Sequence, residues 1–334
     1  MPQDKKPSWV NKLAEFNKAD NRKAAWQLAN TLIPYFALWA MMIFTVKQGW
    51  SYWTTLPPAV LTGLLTVRLF IFFHDCCHES FFTSRTANRM VGYITGVLTF
   101  SPFEEWRRAH NVHHASAGDL DRRGTGDVWT MTVKEYQNAP RSTRLKYRIY
   151  RNPFVMFVLG PVFLFLVSMR FPQKDSGKKE RRSVWITNLL LIMLVSVMGW
   201  ALGVSDYLKI QLPILFVAGS VGIWLFYVQH QFEEVYWSHH ENWDAVAAAL
   251  KGSSYYKLPK VLQWLTGNIG LHHIHHLRPR IPNYHLQACY RAIPEMQQAP
   301  EITFGKSLKS MFLNLWDEET KRLISFRQYR LKTT

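Results

Sequence analysis

The residues that could do chemistry here are histidines, and their spacing says what kind. Four fall within five residues in Gly270-Leu271-His272-His273-Ile274-His275-His276-Leu277-Arg278-Pro279. On a helix, His272, His275 and His276 stand at i, i+3 and i+4 and project from one face, while His273 points elsewhere. Three imidazoles side by side repel as cations and bury poorly as neutral rings. They make sense together around a metal, which neutral imidazole binds well. His110-Asn111-Val112-His113-His114 repeats the spacing, and His74-Asp75-Cys76-Cys77-His78 adds a pair at i, i+4. One such pair is weak evidence, but three groups in order, each beside a long apolar segment, form a strong pattern.

Those apolar segments must position the histidines. Stretches at 31–46, 54–73, 184–204 and 208–228 are near the length a bilayer requires. Arg68 alone interrupts the second, and His74 begins where it ends. Residues 90–103 are apolar but short and end at Pro102, which suits a half-inserted or interfacial helix. Residues 153–169 are apolar with Gly160-Pro161 in the middle. The three histidine groups can share a metal only if they lie on one side of the membrane. Four crossings satisfy this, with 90–103 and 153–169 entering without crossing. The N-terminal arm and the basic loops at 141–151 and 174–182 then lie beside the histidines, and the turns at 48–53 and 205–207 lie opposite, as the positive-inside rule asks.

Composition agrees with a membrane protein. The mean hydropathy of −0.13 hides the separation of apolar runs from charged loops. A net charge of +17 points to an anionic partner, and the apolar runs favour lipid over nucleic acid, for which no binding motif is present. Three cysteines, Cys76, Cys77 and Cys289, make no disulfide framework and read as packing residues. Residues 1–24 are polar and carry no signal-peptide core. The basic arm, with Lys5, Lys6 and Lys12 and with Trp9 and Trp26, suits either a membrane interface or a solvated tail.

His74-x-x-x-His78, His110-x-x-His113-His114 and His272-x-x-His275-His276 resemble the three histidine boxes of the integral-membrane fatty acid desaturases. The flanks Trp106-Arg107-Arg108-Ala109, Gly124-Thr125-Gly126-Asp127-Val128-Trp129 and Gly267-Asn268-Ile269-Gly270 look like those of bacterial acyl-lipid desaturases. The resemblance implies an all-α integral membrane fold of about four transmembrane helices, with interfacial helices and a cytosolic cap carrying a di-iron site. It divides the chain into a basic arm at 1–30, a desaturase domain at 31–290 and a C-terminal cytosolic tail at 291–334. It implies two iron ions and O2 as co-substrate, acting on acyl chains of membrane phospholipid. In the family a further histidine after the last span completes the ligands, and His230 occupies that position. The catalytic metal set is then His74, His78, His110, His113, His114, His230, His272, His275 and His276. His239, His240, His273 and His285 are left out.

Oxidising an unactivated C–H bond requires a metal–oxygen species, and groups behind the ligands must fix the ring tautomers. Asp75, Glu79, Glu104, Asn111 and, above all, Asp127, Glu105 and Asn268 are the residues expected to support the cofactor. Trp106, Trp129, Trp224 and Tyr227 serve either as walls of an acyl tunnel or as anchors and core packing. The sequence holds no haem-binding domain and no ferredoxin cysteine cluster, so electrons are expected from a separate donor such as a ferredoxin or a cytochrome b5-like protein. The expected location is the bacterial inner membrane, with the boxes on the cytosolic side. The rival readings are a di-iron hydroxylase of alkanes, carotenoids or sphingolipids, and a metal-binding membrane sensor without turnover.

Overall fold

The computed structural model describes residues 9–333, so the Lys5 and Lys6 end of the basic arm lies outside the described residues. The helices that position the histidines are α1 (Asn21–Lys47), α2 (Leu56–Cys77), α3 (Arg85–Leu98), α4 (Phe103–Ser116), α5 (Lys178–Leu202), α6 (Val204–His230) and α7 (His272–Leu277). Asp20 caps α1 by accepting from the backbone N–H of Arg22 at 2.9 Å and of Lys23 at 3.1 Å. Ser84 caps α3 by accepting from Ala87 N–H.

Among the described residues, four helices are long and apolar enough to cross a membrane: α1, α5, α6 and the run Tyr52–Cys77 that contains α2. The apolar window of α5 has a mean hydropathy of 2.0, yet only 17% of it is buried by protein. Trp185, Leu189, Ile192 and Trp200 on that helix stand exposed. Such a surface is stable against lipid tails and not against water. The chain is therefore a mostly α-helical integral membrane protein. The helices are longer than the apolar stretches in the sequence, because their polar end turns extend beyond the hydrocarbon.

The central helix is α2, with α1, α3 and α6 packed around it. Its Thr62 and Thr66 hydroxyls donate to Pro58 and Thr62 carbonyls within the helix. Arg68, in the middle of the span's apolar run, is buried: its Nε donates to Thr31 Oγ1 at 3.0 Å, and its guanidinium lies 4.2 Å from the Trp264 ring centroid. Gly92 of α3 lies against the Phe103 ring, with no room for a Cβ.

Contacts between turns fix the topology. Lys47, at the end of α1, pairs with Asp206 at 3.4 Å, and Tyr52 donates to the Lys209 carbonyl at 2.9 Å. The turns at 48–53 and 203–207 therefore share one face. At the opposite ends, Tyr284 donates to Phe81 O, and its hydroxyl accepts from Asp20 N–H at 2.8 Å, so the start of α1 lies beside the boxes. Leu13 is fully buried among Ile281, Leu286, Ile293 and Met296, so the described part of the N-terminal arm packs on the cap.

The cap also contains short strands. β1 (Met131–Thr132), β4 (Leu315–Asp317) and β5 (Arg322–Ile324) form one sheet in the order β1-β4-β5. β2 (Tyr255–Lys257) pairs in parallel with β3 (Glu301–Thr303). Residues beyond 291 thus supply strands to both sheets.

Candidate metal centre

Box one is the last turn of α2 and the residue that follows it. Box two lies on α4, box three is α7, and His230 is the last residue of α6. The helices bring all nine box-and-span histidines into two adjoining groups. His74, His78, His110, His114 and His275 form one; His113, His230, His272 and His276 form the other. Within each group the potential ligand atoms lie within 4.8 Å of one another. The rings of His114 and His276 meet across the divide with centroids 4.3 Å apart.

Each HxxHH box serves both groups. His110 and His114, at i and i+4, join the first group, while His113 turns to the second. His272 and His276 join the second group, while His275 turns to the first. On an α-helix, i and i+4 differ by about 40° and i and i+3 by about 60° in the opposite sense. The pair therefore shares one centre, and the third ring reaches the neighbouring one.

The nitrogens are set for a cation. His275 Nε2 lies 2.9 Å from both His74 Nε2 and His114 Nε2. His230 Nε2 lies 2.9 Å from His272 Nε2 and 3.2 Å from His113 Nε2. Three of these rings hold an acceptor at the opposite nitrogen: His74 Nδ1 on Asp75 Oδ1 at 3.0 Å, His113 Nδ1 on Asp127 Oδ1 at 2.5 Å, and His230 Nδ1 on Gly252 O at 3.1 Å. A proton on Nδ1 leaves Nε2 with a bare lone pair facing the others. His78 Nε2 is buried without a hydrogen-bond partner. Burial first, and then neighbouring histidines, hold His78, His110, His114, His272, His275 and His276 well below the usual imidazole range, so these rings are neutral at pH 7. Convergent neutral nitrogens with bare lone pairs fit two metal ions of intermediate softness.

The supporting residues divide differently from the sequence expectation. Asp127 is in place behind His113, and its Oδ2 accepts from Gly124 N–H at 3.3 Å. Asp75 holds His74 and is itself held by Asn283, whose backbone N–H and Nδ2 donate to Oδ2 at 2.7 and 2.9 Å. Glu105 touches no box histidine. It accepts from Arg108 at 2.9 Å and from Ser176 Oγ at 2.6 Å, because five residues before His110 place it roughly 140° around the helix. Asn268 likewise acts through its backbone. With φ at 57° it forms the turn into box three, and its carbonyl accepts from Leu271 N–H at 3.0 Å. Glu79 pairs with Arg107 and Arg85, Glu104 pairs with Lys179, and Asn111 is exposed.

The four omitted histidines stand outside both groups. His273 is fully buried and donates to Met296 O at 2.9 Å, and burial pushes it down to about 4. His239 and His240 pair with Asp121 and Asp119, and His285 lies against Phe16 O. Among the aromatics, Trp106 stacks on His110 at 4.2 Å, and the Tyr227 hydroxyl donates to Ser310 O at 2.9 Å. A cavity of about 10 Å³, room for one water, touches His113, Asp127 and His230, with Phe226, Val235 and Trp237 on its walls.

Two substitutions test this construction. Asp127→Ala is expected to lower metal affinity or turnover about 10- to 100-fold by freeing the His113 ring. Full metal content and turnover in that variant would remove Asp127 from the role. At Gly270, a Cβ would run into the Tyr256 carbonyl, while the Gly270 carbonyl accepts from Tyr256 N–H at 2.7 Å. Gly270→Ala should cost roughly 1–3 kcal/mol and displace α7. Thermal unfolding together with metal content would show both effects, and a wild-type melting point would refute the clash.

Fold and site together define an integral membrane protein with two adjoining histidine groups, each able to hold a metal ion, at the ends of its spans. The Fatty acid desaturase family model matches residues 51–306. The chain is 46% identical over 323 residues to a fatty acid desaturase of Bacillus subtilis (strain 168), covering 97% of this chain and 91% of that one. It is 28% identical over 248 residues to the sn-1 oleoyl-lipid 12-desaturase of Synechocystis sp., covering 73% and 69% of the two chains. It is 26% identical over 289 residues to the enzyme of that name from Arthrospira platensis, covering 82% and 81%. The chain belongs to the fatty acid desaturase family and is an oxidoreductase.

Proposed function

We propose that this protein introduces a double bond into an acyl chain of a membrane phospholipid, using O2 and two iron ions. The observation that carries the reading is the pair of adjoining all-imidazole groups, five and four histidines, gathered where the C-terminal ends of α2 and α6 meet the cap. His74, His78, His110, His114 and His275 would hold one ion, and His113, His230, His272 and His276 the other. Bound iron with O2 would supply the oxidising power for two unactivated C–H bonds. The acyl chain loses two hydrogens, and O2 takes them up with two further electrons and two protons to give two waters.

The chain's own residues orient and shield this centre. Asp75, Asp127 and the Gly252 carbonyl keep the protons of His74, His113 and His230 on Nδ1. Trp106 and Phe226 cover rings of the first and second groups and keep bulk water from them.

The lipid-bound form of the substrate is supported by the oleoyl-lipid desaturases among the relatives. The cytosolic placement of the boxes is supported by charge. Arg141, Arg144, Lys146, Arg148, Lys174, Lys178, Lys179, Arg181 and Arg182 lie on their side, against Lys47 and Lys209 at the opposite turns. With a bacterial relative at 46% identity, the reading is a protein of the bacterial inner membrane. A separate ferredoxin or cytochrome b5-like protein would deliver the electrons to the basic face.

The test is gas chromatography–mass spectrometry of fatty acids, with double-bond derivatisation, from cells expressing the chain with a donor system. A new unsaturated acyl chain in the phospholipid fraction is expected. A hydroxylated product, or unsaturation confined to thioesters, would overturn the reading.

A further inference from the structure

On the box side of the protein, between α3 and the first turns of α5, the surface opens into a groove of about 530 Å³. Its rim carries Arg89, Lys178, Lys179 and Arg182, and its wall is Tyr93, Ile186 and Leu190. One carboxylate pairs with two of these four cations. Glu104, buried to 3% exposure, meets Lys179 at 2.9 Å and Arg89 at 3.6 Å. Among the described residues no carboxylate lies within 4.0 Å of Lys178 or Arg182. Glu180, in the first turn of α5, pairs with none of the four, so the rim keeps an excess of positive charge above an apolar wall.

Its place in the fold decides what such a groove can hold. Residues 178–182 are the polar first turn of a span, and the helix below them exposes Trp185, Leu189 and Ile192. α3 exposes Met90 and Ile94. The cations thus lie at the level of lipid headgroups, and the wall runs from them toward the hydrocarbon. We infer that the groove seats an anionic phospholipid, its phosphate among Lys178, Lys179, Arg182 and Arg89 and an acyl chain along Tyr93, Ile186 and Leu190. A zwitterionic headgroup lacks the net charge the rim calls for. A free phosphate would leave the apolar wall unused, and so would an acidic soluble protein. The site is separate from the histidine groups but mechanically tied to them. Lys179 and Arg89 grip Glu104 in the first turn of α4, six residues before His110.

The experiment uses the full chain, stripped of lipid in detergent and titrated with phosphatidylglycerol or phosphatidylcholine under native mass spectrometry. Thermal unfolding is read in parallel. The wild type is expected to retain phosphatidylglycerol over phosphatidylcholine and to melt higher with it. Lys178→Gln with Arg182→Gln should weaken that retention about thirtyfold, as the loss of two interfacial cations implies. Lys251→Gln with Lys260→Gln, the same charge change elsewhere on the cap, should not. Equal retention in the groove variant, equal binding of phosphatidylcholine, or displacement by inorganic phosphate alone would overturn the inference. So would a groove variant that keeps its lipid but loses affinity for an acidic electron donor, which would make the rim a protein-docking surface.

Discussion

His275→Ala is expected to abolish desaturation and to lower bound iron from about two ions per chain to about one. His275 Nε2 is the shared neighbour in the first group, 2.9 Å from both His74 Nε2 and His114 Nε2. Alanine leaves a gap among buried neutral rings that no other side chain on α7 fills, because His272 and His276 face the second group. The matched control is His273→Ala, two residues away on the same helix. That ring is just as buried but donates to the Met296 carbonyl. Its loss should destabilise the cap by roughly 1–3 kcal/mol while leaving both ions in place. Metal analysis of the two purified variants, with fatty-acid profiles of the expressing cells, separates ligation from folding. Full iron and turnover in His275→Ala would refute the proposed ligand set. Equal iron loss in both variants would mean that α7 merely holds the fold.

The histidine pattern was legible because helical spacing is a local property, and i, i+3, i+4 can be read from a few residues. The sharing of each box between two groups is latent in the same angles, but it becomes definite only when α4 and α7 face each other. His230 has no local pattern, and only the family resemblance points to it. Asp75 is legible as a support beside box one, and it does hold His74, but its own partner Asn283 is not legible because it lies 208 residues away. Glu105 shows the converse error, because nearness in sequence to a box does not place a residue on the ligand face. Hydropathy marks the spans but not their ends. The turns at 21–30 in α1 and 178–183 in α5 are polar and still helical. The segment at 141–170 bends by 62°. The break follows from Asn152-Pro153, where Asn152 Oδ1 accepts from Phe154 N–H at 2.9 Å. Since boxes two and three meet in one centre, the chain between them crosses an even number of times. α5 and α6 are the two long apolar helices between them, so parity leaves this bent segment no crossing of its own.

Arg151→Met is expected to destabilise the protein by about 3 kcal/mol or more, an effect with no counterpart in the histidine pattern. Arg151 is 2% exposed, and among the described residues it has no carboxylate partner within 4.0 Å. Its guanidinium instead donates to Leu313 O at 2.5 Å, Gln231 Oε1 at 2.9 Å, the Tyr227 hydroxyl at 3.2 Å and Trp129 O at 3.3 Å. Those acceptors come from the end of α6, the loop before β1 and the C-terminal segment before β4. One planar fork thus ties three parts of the cap, and methionine of similar length would leave their oxygens buried without donors. Gln231 directly follows His230, and the loop that carries Trp129 also carries Asp127. The second histidine group should therefore lose its metal before the first as the variant is warmed. Arg151→Lys keeps the charge but not the fork and should recover only part of the stability. Thermal unfolding followed alongside metal release provides the check. A wild-type melting point in Arg151→Met, or simultaneous release of both ions, would show that the cap is held to the second group by other contacts.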